Sequence, residues 1–411
     1  MNAWTVYLVL QFCSSLLFSL VFTVNLVYHL TVVRLSPLQL VLIGTILETT
    51  VFIFEIPTGV LADVRSRRLS VIIGYVLIGL GFILEGSFPL FWAVALAQVV
   101  WGFGYTFTSG ATQAWIADEV GGERAGEAFL HGAQAARLGG LLAIPVSIAL
   151  GRLDTALPII CGGGLMILLA AFLSIAMPEE GFAPVPAGDR TTWTLMLKTV
   201  RDARHLTRRQ PVLLALLGIA WFYGLYSEGF DRLWTVHLVE GFAVPLISGV
   251  EPVVWLGVIR GAQLIMGILA AEAISRRLDA NRPARIPRVL MQSAGLIVVA
   301  LAAFGLVRSF WLAVAMYGLV STLRHIRAPL HDAWFNQRID DAQVRATMFS
   351  MGSQMDAVGQ ICGGPIVGAI GSTVSIRAAL VVSALLLSPV LPLYKVAMRY
   401  GERLGTMVVD G

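Results

Sequence analysis

Four ionisable residues stand in strongly apolar surroundings: Glu48, Arg137, Arg260 and Asp356. A charged side chain near the centre of a bilayer costs about 2.5–3.5 kcal/mol even on the lenient insertion scale, so it must find a partner or line water. Left unpaired, the four would cost on the order of 10–14 kcal/mol, comparable with the stability of a whole domain. Two readings stay open: fixed ion pairs that lock helices together, or a proton-coupling and substrate-charge site in a central cavity. A second cluster sets Glu228 and Arg232 four residues apart, the spacing of a pair along one helix, with Asp231 beside them as another acid. It fits either the rim of an outer cavity or a self-paired structural knot. Tyr223 and Tyr226 precede it, as packing residues or as receivers of a ring-bearing substrate. Arg324 and Arg327, toward the end of their own apolar stretch, suit an anion or simply reach for water. The sequence holds no HExxH, paired-cysteine or phosphate-cradling glycine motif, so neither a metal, a cofactor nor enzymatic chemistry is expected.

These residues must be carried by membrane helices. Hydrophobic residues make up 57% of the chain and charged ones 13%, with a mean hydropathy of +0.79, against about a quarter charged in a soluble domain. Stretches of roughly 20 apolar residues span a bilayer as helices. Twelve are expected, over 4–33, 38–63, 69–87, 89–115, 126–151, 155–177, 210–240, 245–275, 287–307, 309–332, 344–371 and 373–398. Their unbroken length favours an all-α fold over a barrel, whose strands would alternate over about ten residues.

Charge then orients the chain. With both termini in the cytoplasm, Arg34, Arg152, Arg308 and Arg377 fall outside and Arg137, Arg232, Arg260, Arg324 and Arg327 inside spans, leaving 20 of the 29 Lys and Arg cytoplasmic. That asymmetry decides the topology by the positive-inside rule. It reads the net charge of +4 as a topology signal in contact with membrane lipid, not as a nucleic-acid footprint. Cys13, Cys161 and Cys362 lie in apolar helices as packing residues. The first apolar run lacks a basic leader and a cleavage site, and reads as a span.

Residues 1–178 and 210–411 form the expected bundles, joined by a cytoplasmic linker over 179–209. Trp193, Met196, Leu197 and Val200 fall at helical spacing beside Lys198, Arg201 and Arg204, which suits either an amphipathic helix on the head groups or a solvated charged one. The bundles repeat one another. A shift of 220 superimposes Phe129, Gly132, Gln134, Gly139, Pro145, Ala149 and Gly151 on Phe349, Gly352, Gln354, Gly359, Pro365, Ala369 and Gly371. A shift of 219 brings Ala114-Trp115 onto Ala333-Trp334, and aligning Gly44 with Gly257 sets Arg260 one residue from the equivalent of Glu48.

The stretch from Phe54 to Arg68 contains Gly59-x-Leu61-Ala62-Asp63 followed by Arg65-x-Arg67-Arg68. It resembles the loop between helices 2 and 3 of the major facilitator superfamily, with Val64 where a basic residue is usual and Ser66 where glycine is usual. The resemblance implies twelve transmembrane helices in two six-helix pseudo-symmetric halves, and secondary active transport by alternating access. It assigns Glu55, Gly59, Asp63, Arg65, Arg67 and Arg68 to a cytoplasmic gate, with Asp118 as partner to Arg65 or Arg67. Gly359-x-x-x-Gly363-Gly364-Pro365 resembles the antiporter motif of the drug/proton branch, but lies in span 11. Span 5 has Ile144 before Pro145, and Gln98 stands where proton-coupled members usually carry arginine. The branch implies proton-coupled export of lipophilic or aromatic small molecules; the alternative is a facilitator or symporter of a small polar or anionic metabolite. The expected setting is a monomer in the plasma (inner) membrane, with a small-molecule substrate and protons as partners.

Overall fold

The computed structural model describes residues 1–184, 211–242, 251–277, 286–338 and 342–407. The linker helix expected around Trp193 to Arg204 lies outside them. Every regular element among the described residues is helical, as the absence of water in a bilayer core requires of a chain that must satisfy its backbone internally.

In order the helices are α1 (Ala3–Phe22), α2 (Asn25–Thr31), α3 (Pro37–Val64), α4 (Arg67–Ser87), α5 (Phe91–Thr108), α6 (Ala111–Val120), α7 (Gly122–Leu153), α8 (Leu157–Ala176), α9 (Pro211–Glu240), α10 (Pro252–Arg277), α11 (Ile286–Leu306), α12 (Phe310–Arg338), α13 (Ala342–Thr373), α14 (Ile376–Leu387) and α15 (Val390–Met407). Three expected spans are each broken in two. The first is interrupted at Thr23 and Val24, and the last at Ser388 and Pro389. The fourth breaks at Gly110, whose φ of 72° is a left-handed turn that glycine adopts without cost.

Among the described residues, nine helical stretches are long and apolar enough to cross a membrane. The helices α5, α12 and α13 are not in that set, although they are 18, 29 and 32 residues long. Their composition explains it: α12 carries Arg324, His325, Arg327 and His331, and α13 is diluted by glycine, Ser353, Gln354, Asp356 and Gln360. Exposed Leu153, Leu168 and Ile175 give the helices a lipid-compatible outer face.

The chain divides into two compact units. One is drawn from Met1–Leu35, Ile46–Thr192 and Ser248–Gly261, the other from Ser36–Thr45, Trp193–Ile247 and Ala262–Gly411. In the first unit α1 packs along α7, and α4 lies against α5 and α8. In the second α9 packs along α13, α14 and α15, and α11 lies against α12 and α14. Gly139 of α7 is pressed on the Phe12 carbonyl of α1, and Gly359 of α13 on the Trp221 carbonyl of α9, so that any side chain at either would strike backbone. Close approach of helix backbones through small residues gives van der Waals contact that lipid tails cannot supply.

Candidate functional site

In the second unit α9, α12, α13 and α15 assemble a cluster of tyrosines and charges. Tyr223, Tyr226 and Phe230 recur at helical spacing on α9, and Arg324 and Arg327, three apart on α12, meet them. Arg324 clasps Asp231 with both ends of its guanidinium, Nη1 to Oδ1 at 2.5 Å and Nη2 to Oδ2 at 2.8 Å. Its charge also lies 5.7 Å from the ring of Tyr226 and 5.4 Å from that of Phe230. The forked geometry makes this a directional, charge-assisted pair. Asp231 is 44% exposed and Arg324 29%; such charge beside a helix bundle faces water, because lipid would not accept it.

Arg327 sits 3.2 Å over the ring of Tyr223, a cation–π contact. Asp356 accepts a hydrogen bond from Gln360 Nε2 at 2.8 Å. Arg327 and Asp356 are within electrostatic reach of one another, yet among the described residues neither makes an ion pair. Tyr394 of α15 completes the cluster: its ring lies 5.8 Å from Trp334, and its hydroxyl faces that of Tyr223 without hydrogen-bond geometry. The hydroxyls of Tyr223, Tyr226 and Tyr394 and the indole N–H of Trp334 are all buried without a hydrogen-bond partner. Buried donors of this kind are rare, because each forfeits its bond to water.

Glu228 and Arg232 form the intrahelical pair that their spacing suggests, at 3.4 Å, and are nearly buried. Gly44 lies against both side chains. The three residues grouped from sequence therefore separate: Glu228 keeps Arg232, while Asp231 turns to Arg324. At 1.5 Å per residue, Arg324 and Arg327 lie roughly 21 and 26 Å along the 29-residue α12. That is near its middle, not its end, since the helix continues to Arg338.

The first unit holds the other candidates. Arg67 joins Asp118, donates to Asp63 Oδ1 at 3.3 Å and donates to the Ala114 carbonyl at 2.9 Å. Arg65 is exposed and Gly59 faces open space. Ser66, in place of the usual glycine, caps α4 by accepting from the Leu69 N–H at 2.9 Å and donates to Glu179 Oε2 at 2.7 Å. Glu179 also receives the Arg68 N–H at 2.8 Å. Glu55 accepts a long hydrogen bond from Ser109 at 3.4 Å, and Tyr105 lies within electrostatic reach of both Glu48 and Glu55. Glu48 is half-buried and partnered. Arg260 donates to the Phe22 carbonyl at 2.5 Å, and Arg137 is exposed. Of the four membrane-depth charges, Glu48, Arg137 and Arg260 thus belong to the first unit and Asp356 to the second.

One buried network escaped sequence reasoning. His29 Nε2 meets Glu85 Oε1 at 2.9 Å, with both side chains at most 1% exposed. Gln98 donates to Glu85 Oε2 at 3.0 Å, and Trp101 Nε1 donates to Gln98 at 3.1 Å. Gln98, standing in the place of the family's arginine, therefore serves as a neutral partner to an acid. A carboxylate within an apolar run beside Gly86 was the available signal. No group of three or more metal-ligating side chains occurs among the described residues.

The sequence model of the Major Facilitator Superfamily matches residues 7–323. A Bacillus subtilis (strain 168) protein described as an uncharacterized MFS-type transporter, YxaM, is 21% identical over 364 residues, covering 87% of each chain. Among solved structures, a mutant of the nucleoside transporter NupG superposes with a TM-score of 0.81 at 15% identity, covering 96% of this chain and 100% of that one. A bacterial homologue of the human lysosomal transporter Spinster gives 0.74 at 15% identity, covering 98% and 97%. At such identities the superpositions speak for the fold.

Proposed function

Because the chain belongs to the Major Facilitator Superfamily, we propose that it is a proton-coupled secondary transporter of small, ring-bearing organic molecules, working by alternating access. In this reading twelve spans form two pseudo-symmetric halves in the plasma (inner) membrane of a monomer, with both termini cytoplasmic. The observation that carries it is Asp356: a carboxyl at membrane depth that, among the described residues, is hydrogen-bonded by the neutral Gln360 and makes no ion pair, although Arg327 lies within its electrostatic reach. A proton can be taken up or released there without first breaking an ion pair. One charge moved across the membrane is worth about 2.3 kcal/mol per 100 mV, enough to bias transport.

Export, implied by the resemblance to the drug/proton branch, has less support. Gln98 replaces the arginine of proton-coupled members and binds Glu85 instead, and Ile144 precedes Pro145 in α7. The second reading, a symporter or facilitator of an anionic metabolite, is favoured by Arg327, a cation with no acid of its own among the described residues. The cytoplasmic gate is assigned to Asp63, Arg67 and Asp118, whose contacts support the role.

The test uses proteoliposomes with an imposed pH gradient, screened with ring-bearing compounds for substrate-dependent proton movement. Accumulation that follows the gradient is expected, and Asp356→Asn should abolish it while leaving downhill exchange. Undiminished gradient-driven accumulation by Asp356→Asn would remove that carboxyl from coupling, and accumulation in every case independent of pH would remove proton coupling altogether.

A further inference from the structure

The cluster in the second unit contains more hydrogen-bond donors than its own acceptors engage, with its two arginines matched in number by Asp231 and Asp356. Arg324 is committed to Asp231 by two hydrogen bonds. Arg327 has five N–H donors and, among the described residues, the face of Tyr223 beneath it as its contact. Around it the hydroxyls of Tyr223, Tyr226 and Tyr394 are buried and unpartnered, at 4%, 1% and 0% residue exposure. Asp356 is within electrostatic reach of Arg327, and its carboxylate already accepts from Gln360. A buried donor without an acceptor costs about 1–3 kcal/mol. Several of them around a half-buried guanidinium describe a place shaped for an acceptor that arrives from outside.

We propose that this cluster binds a small organic carboxylate, its two oxygens held by the fork of Arg327 and by the tyrosine hydroxyls beside it. The proposal rests on the transporter reading and names the chemical class of its cargo. Three features of the site fit a carboxylate better than a neutral molecule. A planar two-oxygen anion matches the planar guanidinium fork. The hydroxyls are donors that each add a bond to an anion. The charge balance also closes: with Asp231 neutralising Arg324, an ionised Asp356 offsets Arg327, whereas a protonated Asp356 leaves one positive charge for the incoming carboxylate. Binding of the anion and binding of a proton at Asp356 then favour one another, which is the linkage that a symporter needs. The groups facing Asp356 are Gln360 on its own helix, Arg324 and Arg327 on α12, and Asp231 on α9; with Arg324 and Asp231 paired to each other, Arg327 is the one of these that compensates the anion.

The experiment is equilibrium binding to the purified full-length protein in detergent, by calorimetry and by ligand-dependent thermal stabilisation. The probes are benzoate and benzamide, which share a shape and differ in charge, with phenyl phosphate and dihexanoyl phosphatidylglycerol to separate a free carboxylate from phosphate and lipid head groups. Benzoate should bind saturably and more tightly as pH falls toward 6, while benzamide should be at least about tenfold weaker. Arg327→Gln should weaken benzoate roughly tenfold to a hundredfold, and Arg377→Gln, half-buried beside Gly241 and Phe242 and away from the cluster, should not. Tyr223→Phe and Tyr394→Phe remove single hydroxyls and should each weaken it severalfold, which keeps the test open if Arg327→Gln fails to fold. Equal binding of benzamide, an unchanged affinity in folded Arg327→Gln, or binding of the phosphate probes alone would overturn the proposal. Gradient-driven uptake of a neutral ring compound in the same preparation would leave the transporter reading standing while this one fell.

Discussion

In the first unit Glu85 is met by His29 on one oxygen and Gln98 on the other, and Trp101 fixes Gln98 in turn. In the second unit Asp356 has one neutral partner, and three tyrosine hydroxyls close by have none. Both places put acids and donors among packed helices. The first satisfies both oxygens of its acid within the chain, with His29 Nδ1 alone left over; the second leaves several donors over around its charges. A saturated buried network rigidifies its surroundings and is costly to break, whereas an unsaturated one stores a binding site. The contrast separates polar groups that hold this protein together from those that give it something to hold.

The largest effect should come from breaking the network around Glu85. Glu85→Ala leaves His29, Gln98 and their neighbours without an acceptor in a buried place, and removing one member of a buried pair typically costs about 3–5 kcal/mol. Thermal melting in detergent should fall sharply, together with the yield of folded protein. The double variant His29→Ala, Glu85→Ala should be less damaging than the sum of its parts, because the orphaned partner goes too. Strict additivity would show that the two side chains do not act as a pair.

Asp356→Asn should do the opposite. Asparagine keeps an acceptor for Gln360, so stability should change by no more than about 1 kcal/mol, and the melting curve should stay close to that of the parent. Uphill transport should be lost. A large fall in melting temperature with coupling intact would place Asp356 among the structural groups and erase the contrast between the units. Glu48→Gln sharpens it from the other side: Glu48 lies in the first unit and is not free, so its substitution should cost more in stability than Asp356→Asn does. The reverse order, read from the two melting curves, would break the comparison.

Much of the frame was legible from local pattern. Long apolar runs mark the helices, and the glycine spacing of Gly139 and Gly359 marks where two helices of each unit touch. Glu228 and Arg232 pair as their spacing dictates, since neighbours four apart on a helix meet whatever the tertiary fold. The site itself was legible only as a set of parts. Asp231 and Arg324 are 93 residues apart, and nothing local tells an acid beside Arg232 that it will turn to another helix. Tyr394 has no distinguishing neighbours in sequence, and becomes part of the site only because α15 packs on α9. Glu85 hid for a different reason: one acid near the end of an apolar run looks like a residue reaching for the interface, and only its burial shows otherwise. The interruption at Gly110 was signalled by glycine, but an apolar run containing many glycines does not say which one bends.

The smallest expected effect tests the loop that first suggested the family. Arg67 holds Asp118, which is 29% exposed, and Asp63, which is 52% exposed and 3.3 Å away. An exposed ion pair contributes at most about 1 kcal/mol, so Asp63→Asn should leave melting almost unchanged. Asp118→Asn should be slightly more destabilising, because it removes the closer and less exposed partner. If Asp63 serves the gate, its variant should nevertheless slow turnover severalfold in proteoliposomes, with substrate affinity at equilibrium unaltered. That split between rate and affinity is the informative reading: a surface charge of no consequence would change neither, and a structural one would lower the folded fraction first. Asp63→Asn with parental turnover would leave Arg67 and Asp118 as a simple brace between α4 and α6.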